Sequence, residues 1–205
     1  DRSGLNEGSS GNISLRLAEG GFLITPSGVP AADLTPEQMV RCDDHGTPLA
    51  GGRPSSEWRF HRDILARRPE VGAVVHAHPP HATALACLRR SIPPFHYMVA
   101  MAGGDDIRCA PYALFGTQEL SDHALAALEG RRACLLANHG LLALGADLDG
   151  ARRLAVTVER LAQQYLAALA VAEPVRLSAA EMTAVRERMV GYGPEGTDGQ
   201  GRGAG

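Results

Sequence analysis

The chain contains no lysine; all 20 of its basic residues are arginine. A covalent Schiff base on a lysine amine is therefore excluded as its chemistry. Aromatic residues make up 4% of the sequence, with a single tryptophan, too few for a base-stacking surface. Acidic and basic residues nearly balance, 23 against 20, which argues against nucleic acid or an anionic membrane as partner. The four cysteines, Cys42, Cys87, Cys109 and Cys134, form no CxxC pair and read as reduced thiols of a cytoplasmic protein. No apolar run reaches membrane-spanning length; the longest apolar stretch, near 151–172, is interrupted by Glu159, Arg160, Gln163 and Gln164. No signal-peptide pattern is visible. The abrupt opening DRSGLNEGSSGN suggests that the native N-terminus lies upstream.

What is present suffices for a core. The 205 residues are 44% apolar, enough for one globular domain over 1–190 followed by a glycine-rich tail, 191–205, expected to be mobile. Short apolar runs alternate with amphipathic ones, the pattern of an α/β layered fold. Strands are expected at Asn12–Arg16, Gly21–Ile24, Val71–Ala77, Arg108–Pro111, Ala133–Ala137 and Leu141–Leu144. Helices are expected after the caps Thr35, Thr117, Ser178 and Asp147 or Asp149, from Ser56 to about Arg67, and over Pro80–Arg90.

Eight histidines are the first chemical signal. His76 and His78 stand at i and i+2 at the end of the apolar run VGAVVHAHP, so their side chains share one strand face. That is half of a metal site of the kind zinc favours. A third ligand has two candidates. His139 sits in a turn between two apolar runs, LLANHGLLALG. His61 lies four residues after Glu57 on one helix, so those two share a face. Spacing leaves the choice open. His45, His81, His96 and His123 have no partner at ligand spacing.

Small residues supply a second signal. Ser55 and Ser56 precede Glu57 at a helix start, where hydroxyls and free N–H groups receive anions. Gly8-Ser9-Ser10-Gly11-Asn12 and Thr25-Pro26-Ser27-Gly28 have the same character. Three such segments beside a carboxylate and a metal suit a substrate with a phosphate at one end and an acidic C–H at the other.

The segments GLNEGSSGNIS, FLITPSGVP, LTPEQMV, RPSSEWRFHRDILARRPEVGAVVHAHPPHATALACL, RSIPPFHYMVAMAGGDDIRCAPYALFGTQELSDH and NHGLLALG, in that order, resemble the class II aldolase/adducin family in its fuculose-phosphate type. The likeness covers residues 4–192. It implies a class II aldolase domain over 1–190, a three-layer α/β/α sandwich around a largely antiparallel central sheet. It implies Zn2+ held by His76, His78 and His139, with Glu57 as fourth ligand until substrate displaces it to act as acid/base. That implication, not spacing, prefers His139 to His61. Gly11, Asn12, Ser27, Gly28, Ser55 and Ser56 would hold the substrate phosphate. Tyr97 would be the second acid; Phe115 and Tyr192 would shape the aldehyde pocket.

The implied reaction is reversible cleavage of a ketose 1-phosphate, L-fuculose 1-phosphate first of all, to dihydroxyacetone phosphate and a small aldehyde such as L-lactaldehyde. The implied assembly is a cytoplasmic homotetramer with active sites between subunits. The chain departs from the family pattern in lacking a helix before GLN, in Asn138 where a histidine is expected, in Ser27 for threonine, and in a longer loop at Ala18–Gly21. Within the family, pentulose-phosphate epimerases resemble it but usually carry aspartate at the position of Glu57. Thio-sugar-phosphate dehydratases keep glutamate. An adducin-like binding module would have lost the metal set, which is complete here.

Overall fold

The segment Ala73–Ala77 is buried at every position, as a strand covered on both faces must be. It is β5 of an eight-stranded sheet in the computed structural model, which describes residues 4–6 and 8–189. The other strands are β1 (Asn12–Arg16), β2 (Phe22–Ile24), β3 (Val40–Cys42), β4 (Pro48–Ala50), β6 (Cys109–Ala110), β7 (Ala133–Leu136) and β8 (Gly140–Gly145). Their order is β4-β3-β2-β1-β5-β8-β7-β6. Neighbours pair antiparallel except β6 and β7, which run parallel. The sheet is therefore mixed, which amends the expectation of a largely antiparallel one. The reason is local: α3 (Gln118–Ala127) carries the chain from β6 back to the same end of the sheet, and such a crossover produces a parallel neighbour.

Side-chain alternation separates two cores. Ala73, Val75 and Ala77 of β5, with Leu141 and Ala143 of β8, pack against α2 (Pro80–Cys87) and α4 (Leu148–Leu169). Val74, Leu142 and Leu144 face the opposite way, toward Phe60, Ile64 and Leu65 of α1 (Trp58–Arg67) and Leu120 and Ala124 of α3. Helices thus cover both faces. Strand β1 breaks the expected polarity. Its apolar Ile13 and Leu15 pack on the α4 side and are only partly buried, while Asn12 and Ser14 are the buried residues.

Most caps are where the sequence placed them. Asp147 accepts from the Gly150 N–H at 2.6 Å, and Thr117 Oγ1 from the Leu120 N–H at 3.2 Å. Ser178 and Glu181 close a capping box at the start of α5 (Ala179–Met189). Each such cap contributes about 1 kcal/mol. The helix expected after Thr35 is only a 3-10 turn, Pro36–Gln38, because it has no buried residue to hold a longer one. Helix α1 begins at Trp58 rather than Ser56, which leaves Glu57 as its N-cap. Strands β3 and β4 were not expected; each has three residues, and β4 is exposed throughout. Among the described residues, no helix is long and apolar enough to cross a membrane.

Candidate metal centre and its cavity

Four side chains from four places in the chain meet beside the N-terminus of α1. Glu57 arrives as the helix cap, His76 from β5, His78 one residue beyond β5, and His139 from the turn between β7 and β8. One ligand atom from each lies within 4.8 Å of all the others. Register brings His139 there: β5 pairs with β8, setting His76 opposite Leu142. The turn closes through His139 N–H to the Leu136 carbonyl at 3.0 Å, with Asn138 left-handed at φ 56. Asparagine tolerates that conformation better than most residues. Its side-chain carbonyl accepts from Arg89 Nε at 3.0 Å, beside the site.

The four groups fit a divalent cation. His76 Nδ1 donates to the Leu141 carbonyl at 2.9 Å. In the neutral ring this leaves the lone pair on Nε2, which faces Glu57 Oε2 at 3.1 Å and His78 Nε2 at 2.8 Å. Glu57 Oε1 approaches His139 Nε2 to 3.2 Å without hydrogen-bond geometry, and it is buried with no donor among the described residues. Acceptors thus converge with too few protons between them, a costly arrangement unless a cation lies among them. Ligands 2.0–2.1 Å from a tetrahedral ion lie about 3.4 Å apart, within the 4.8 Å that contains all four ligand atoms. The carbonyl behind His76 is the kind of outer partner that orients a ligating imidazole.

Electrostatics agree with that use. Burial pushes His78 and His139 down to about 4, with the neighbouring His76 adding to it, so both rings are neutral at pH 7. Burial alone would raise the Glu57 carboxyl. The His76 and His139 imidazoles and the Asn12 amide outweigh it and hold Glu57 below the usual carboxylate range.

The cluster opens into a cavity of about 380 Å3, a size suited to a small ligand. Gly11, Asn12, Ser27, Gly28, Ser55 and Ser56 all line it. Two of their loops are zipped together: Ser27 N–H donates to the Arg53 carbonyl at 2.9 Å, and Ser55 N–H to the Thr25 carbonyl at 3.0 Å. Gly11 has φ 74, and a Cβ there would strike the Asn6 side chain, so any other residue would be strained. Phe115 lines the mouth with Tyr112 and Ala113. Tyr97 does not line it; it stands at the start of the 3-10 helix Tyr97–Ala102, 52% exposed. Tyr192 lies outside the described residues.

His61 is brought near the cluster but not into it. It is fully buried, and both ring nitrogens are engaged, with Ser14 Oγ at 2.7 Å and Asn12 Oδ1 at 2.5 Å. The side chains of Ser14 and Tyr112 were missed from sequence. Tyr112 carried no signal. Ser14 carried one: in NISLR, polar Asn12 and Ser14 share a strand face opposite apolar Ile13 and Leu15.

Comparison with known proteins gives one consistent picture. Residues 1–166 match the family model for the class II aldolase and adducin N-terminal domain. A 5-methylthioribulose-1-phosphate/5-deoxyribulose-1-phosphate aldolase of Rhodospirillum rubrum is 60% identical over 190 residues, 93% of this chain and 86% of the relative. An L-fuculose phosphate aldolase of Escherichia coli is 50% identical over 193 residues, 94% and 89% of the two chains. Among solved structures, an L-fuculose 1-phosphate aldolase superposes with a TM-score of 0.88 at 41% identity, covering 92% of this chain and 90% of that one.

Proposed function

The chain belongs to the class II aldolase and adducin family and is a metal-dependent aldehyde-lyase of the fuculose-phosphate aldolase type; on that premise we propose that it cleaves a ketose 1-phosphate with a short apolar tail to dihydroxyacetone phosphate and an aldehyde. The observation that carries this reading is the Glu57, His76, His78 and His139 cluster opening into a cavity edged by serine and glycine loops.

The chemistry follows from the residues. His76, His78 and His139, with Glu57, would hold zinc, which when bound supplies Lewis-acid polarisation of the substrate carbonyl. The loops at Gly11–Asn12, Ser27–Gly28 and Ser55–Ser56 would hold the phosphate. In the synthetic direction Glu57 takes a proton from the hydroxymethyl carbon of dihydroxyacetone phosphate through Oε1, the oxygen without a hydrogen-bond donor. The carbon then attacks the aldehyde, and the Tyr97 hydroxyl protonates the new alkoxide. Cleavage reverses each transfer. The exposure of Tyr97, away from its own chain's cavity, favours delivery to a neighbouring subunit in a closed homotetrameric ring. The bacterial sugar-phosphate aldolases that it resembles favour a cytoplasmic enzyme.

Cleavage between C3 and C4 of a ribulose 1-phosphate releases a two-carbon aldehyde, bearing methylthio or hydrogen at its second carbon. The higher identity to the R. rubrum relative and the Tyr112, Ala113 and Phe115 edge of the cavity favour these over L-fuculose 1-phosphate, the first expectation, which becomes the second reading on the strength of the 50% relative. The test is a panel of 5-methylthioribulose, 5-deoxyribulose, L-fuculose and L-ribulose 1-phosphates, with released dihydroxyacetone phosphate as readout. The expected kcat/KM falls in that order. A preference for L-fuculose 1-phosphate would reverse the substrate assignment. No release from any member would refute the aldolase.

A further inference from the structure

We propose that Ser14, His61 and Asn12 form a directional hydrogen-bonded relay that positions Glu57 for proton transfer, with His61 as a positioning residue and not a metal ligand. The proposal rests on the reading of Glu57 as the base.

The direction of the relay follows from one end. An ionised carboxylate only accepts, so the Asn12 amide must turn its Nδ2 to Glu57 Oε2, 2.9 Å away. The Asn12 carbonyl then faces His61 Nε2 at 2.5 Å, and Nε2 must carry the proton. The other ring nitrogen, Nδ1, is left to accept, and the Ser14 hydroxyl at 2.7 Å donates to it. Every polar atom in the relay has one role, and the roles are mutually consistent. A fully satisfied buried network of this kind locks its members in one arrangement.

The fold invests in this arrangement. Asn12 and Ser14 put two polar side chains on a buried strand face, against the local polarity rule. Across the sheet, Asn12 pairs in register with His76, and the His61 ring lies tilted against Phe60, which meets His76 edge-on. The relay therefore tethers Oε2 and leaves Oε1 as the oxygen able to exchange a proton.

The test uses a pair of substitutions that separate the two ring nitrogens. Glutamine reaches as far as Nε2 and can donate to Asn12; asparagine reaches only as far as Nδ1. Zinc-loaded proteins are compared for hydrogen–deuterium exchange at the hydroxymethyl carbon of dihydroxyacetone phosphate in heavy water, for kcat and KM with the best ketose 1-phosphate, and for bound zinc. His61→Asn should lose about 10- to 100-fold in exchange and in kcat, as outer partners of metal sites commonly do, with KM and zinc content near wild type. His61→Gln should recover most of that loss. Ser14→Ala, a smaller change that serves if His61→Asn does not fold, should lower the same two rates by a lesser factor. The proposal is overturned if folded His61→Asn and Ser14→Ala keep wild-type exchange and kcat, if His61→Asn loses its zinc, or if His61→Gln is as slow as His61→Asn. Glu57→Gln is measured alongside: exchange undiminished in that variant overturns the base assignment itself, whatever the His61 variants do.

Discussion

Helix α1 has a hollow at each end. The one at its N-terminus is the cavity of about 380 Å3 beside Glu57. The one at its C-terminus is larger, about 710 Å3, and is bounded by Arg67, Arg68, Leu128 and Glu129 among others. In the lining of the larger hollow Arg68 and Asp122 are already partnered, Asp122 by the Gln118 amide at 3.1 Å. Arg68 donates to the carbonyls of Leu128 at 3.2 Å and Arg131 at 3.1 Å, and to Glu70. Arg16 donates to the carbonyls of Leu65, Arg68 and Val71. These cations close the helix end in the favourable sense of its dipole. At the other end lone pairs converge and Glu57 Oε1 has no donor. The difference teaches that unsatisfied chemistry, rather than volume, marks the site.

The hardest way to break the comparison is to remove one ligand. His139→Ala should lose stoichiometric zinc, read by elemental analysis, and lose about 100- to 10,000-fold in kcat or more. Zinc retained at one equivalent would show that His139 is not a ligand. Mixed and refolded with Tyr97→Phe, it should regain activity at about a quarter of the sites if each site is shared between neighbours in a closed ring. Subunit exchange without recovered activity would place Tyr97 in its own subunit's site.

Acidification sharpens the comparison at intermediate size. His61 is held at about 3, and His78 and His139 at about 4, by burial. Unfolded, each would titrate near 6.5, so between 6.5 and those values the unfolded chain binds more protons. Stability of the metal-free protein should be complete above pH 6.5 and fall as pH drops through that window, His61 alone contributing at most about 1.4 kcal/mol per pH unit. Depression of the Glu57 carboxyl acts in the same direction. Urea midpoints measured from pH 7.5 to 4 check this; a flat profile would mean that the three rings are not held neutral by burial.

The smallest effect belongs to the other end. Arg68→Ala strands the Leu128 and Arg131 carbonyls and should cost about 1 to 2 kcal/mol in a denaturant titration. Zinc content, kcat and KM should stay as in wild type. A change in any of these would give the larger hollow a role in catalysis.

Much of this was legible beforehand, and what was not has identifiable causes. The run VVHAHP announced both a strand and an i, i+2 histidine pair, because strand periodicity is a purely local rule. Asp147, Thr117 and Ser178 announced helix starts for the same reason. Val40–Cys42 and Pro48–Ala50 escaped because three residues are too few to display a period. Thr35 overstated its helix because a cap without a buried face nucleates only a turn.

By itself the sequence determined the absence of lysine, and with it the exclusion of Schiff-base chemistry; the identity of the serine and glycine loops; and the shared face of His76 and His78. Spacing left His61 and His139 equal, since both are histidines within reach of plausible partners, and only the family resemblance preferred His139. Tertiary structure brings His139, and not His61, into the cluster. The pairing of β5 with β8 and the left-handed turn at Asn138 bring His139 to the cluster from more than sixty residues away. The packing of α1 on β1 meanwhile engages both nitrogens of His61 with Ser14 and Asn12. Spacing within one element fixes which side chains share a face; which faces then meet depends on sheet register and helix packing, and these are set by the whole chain.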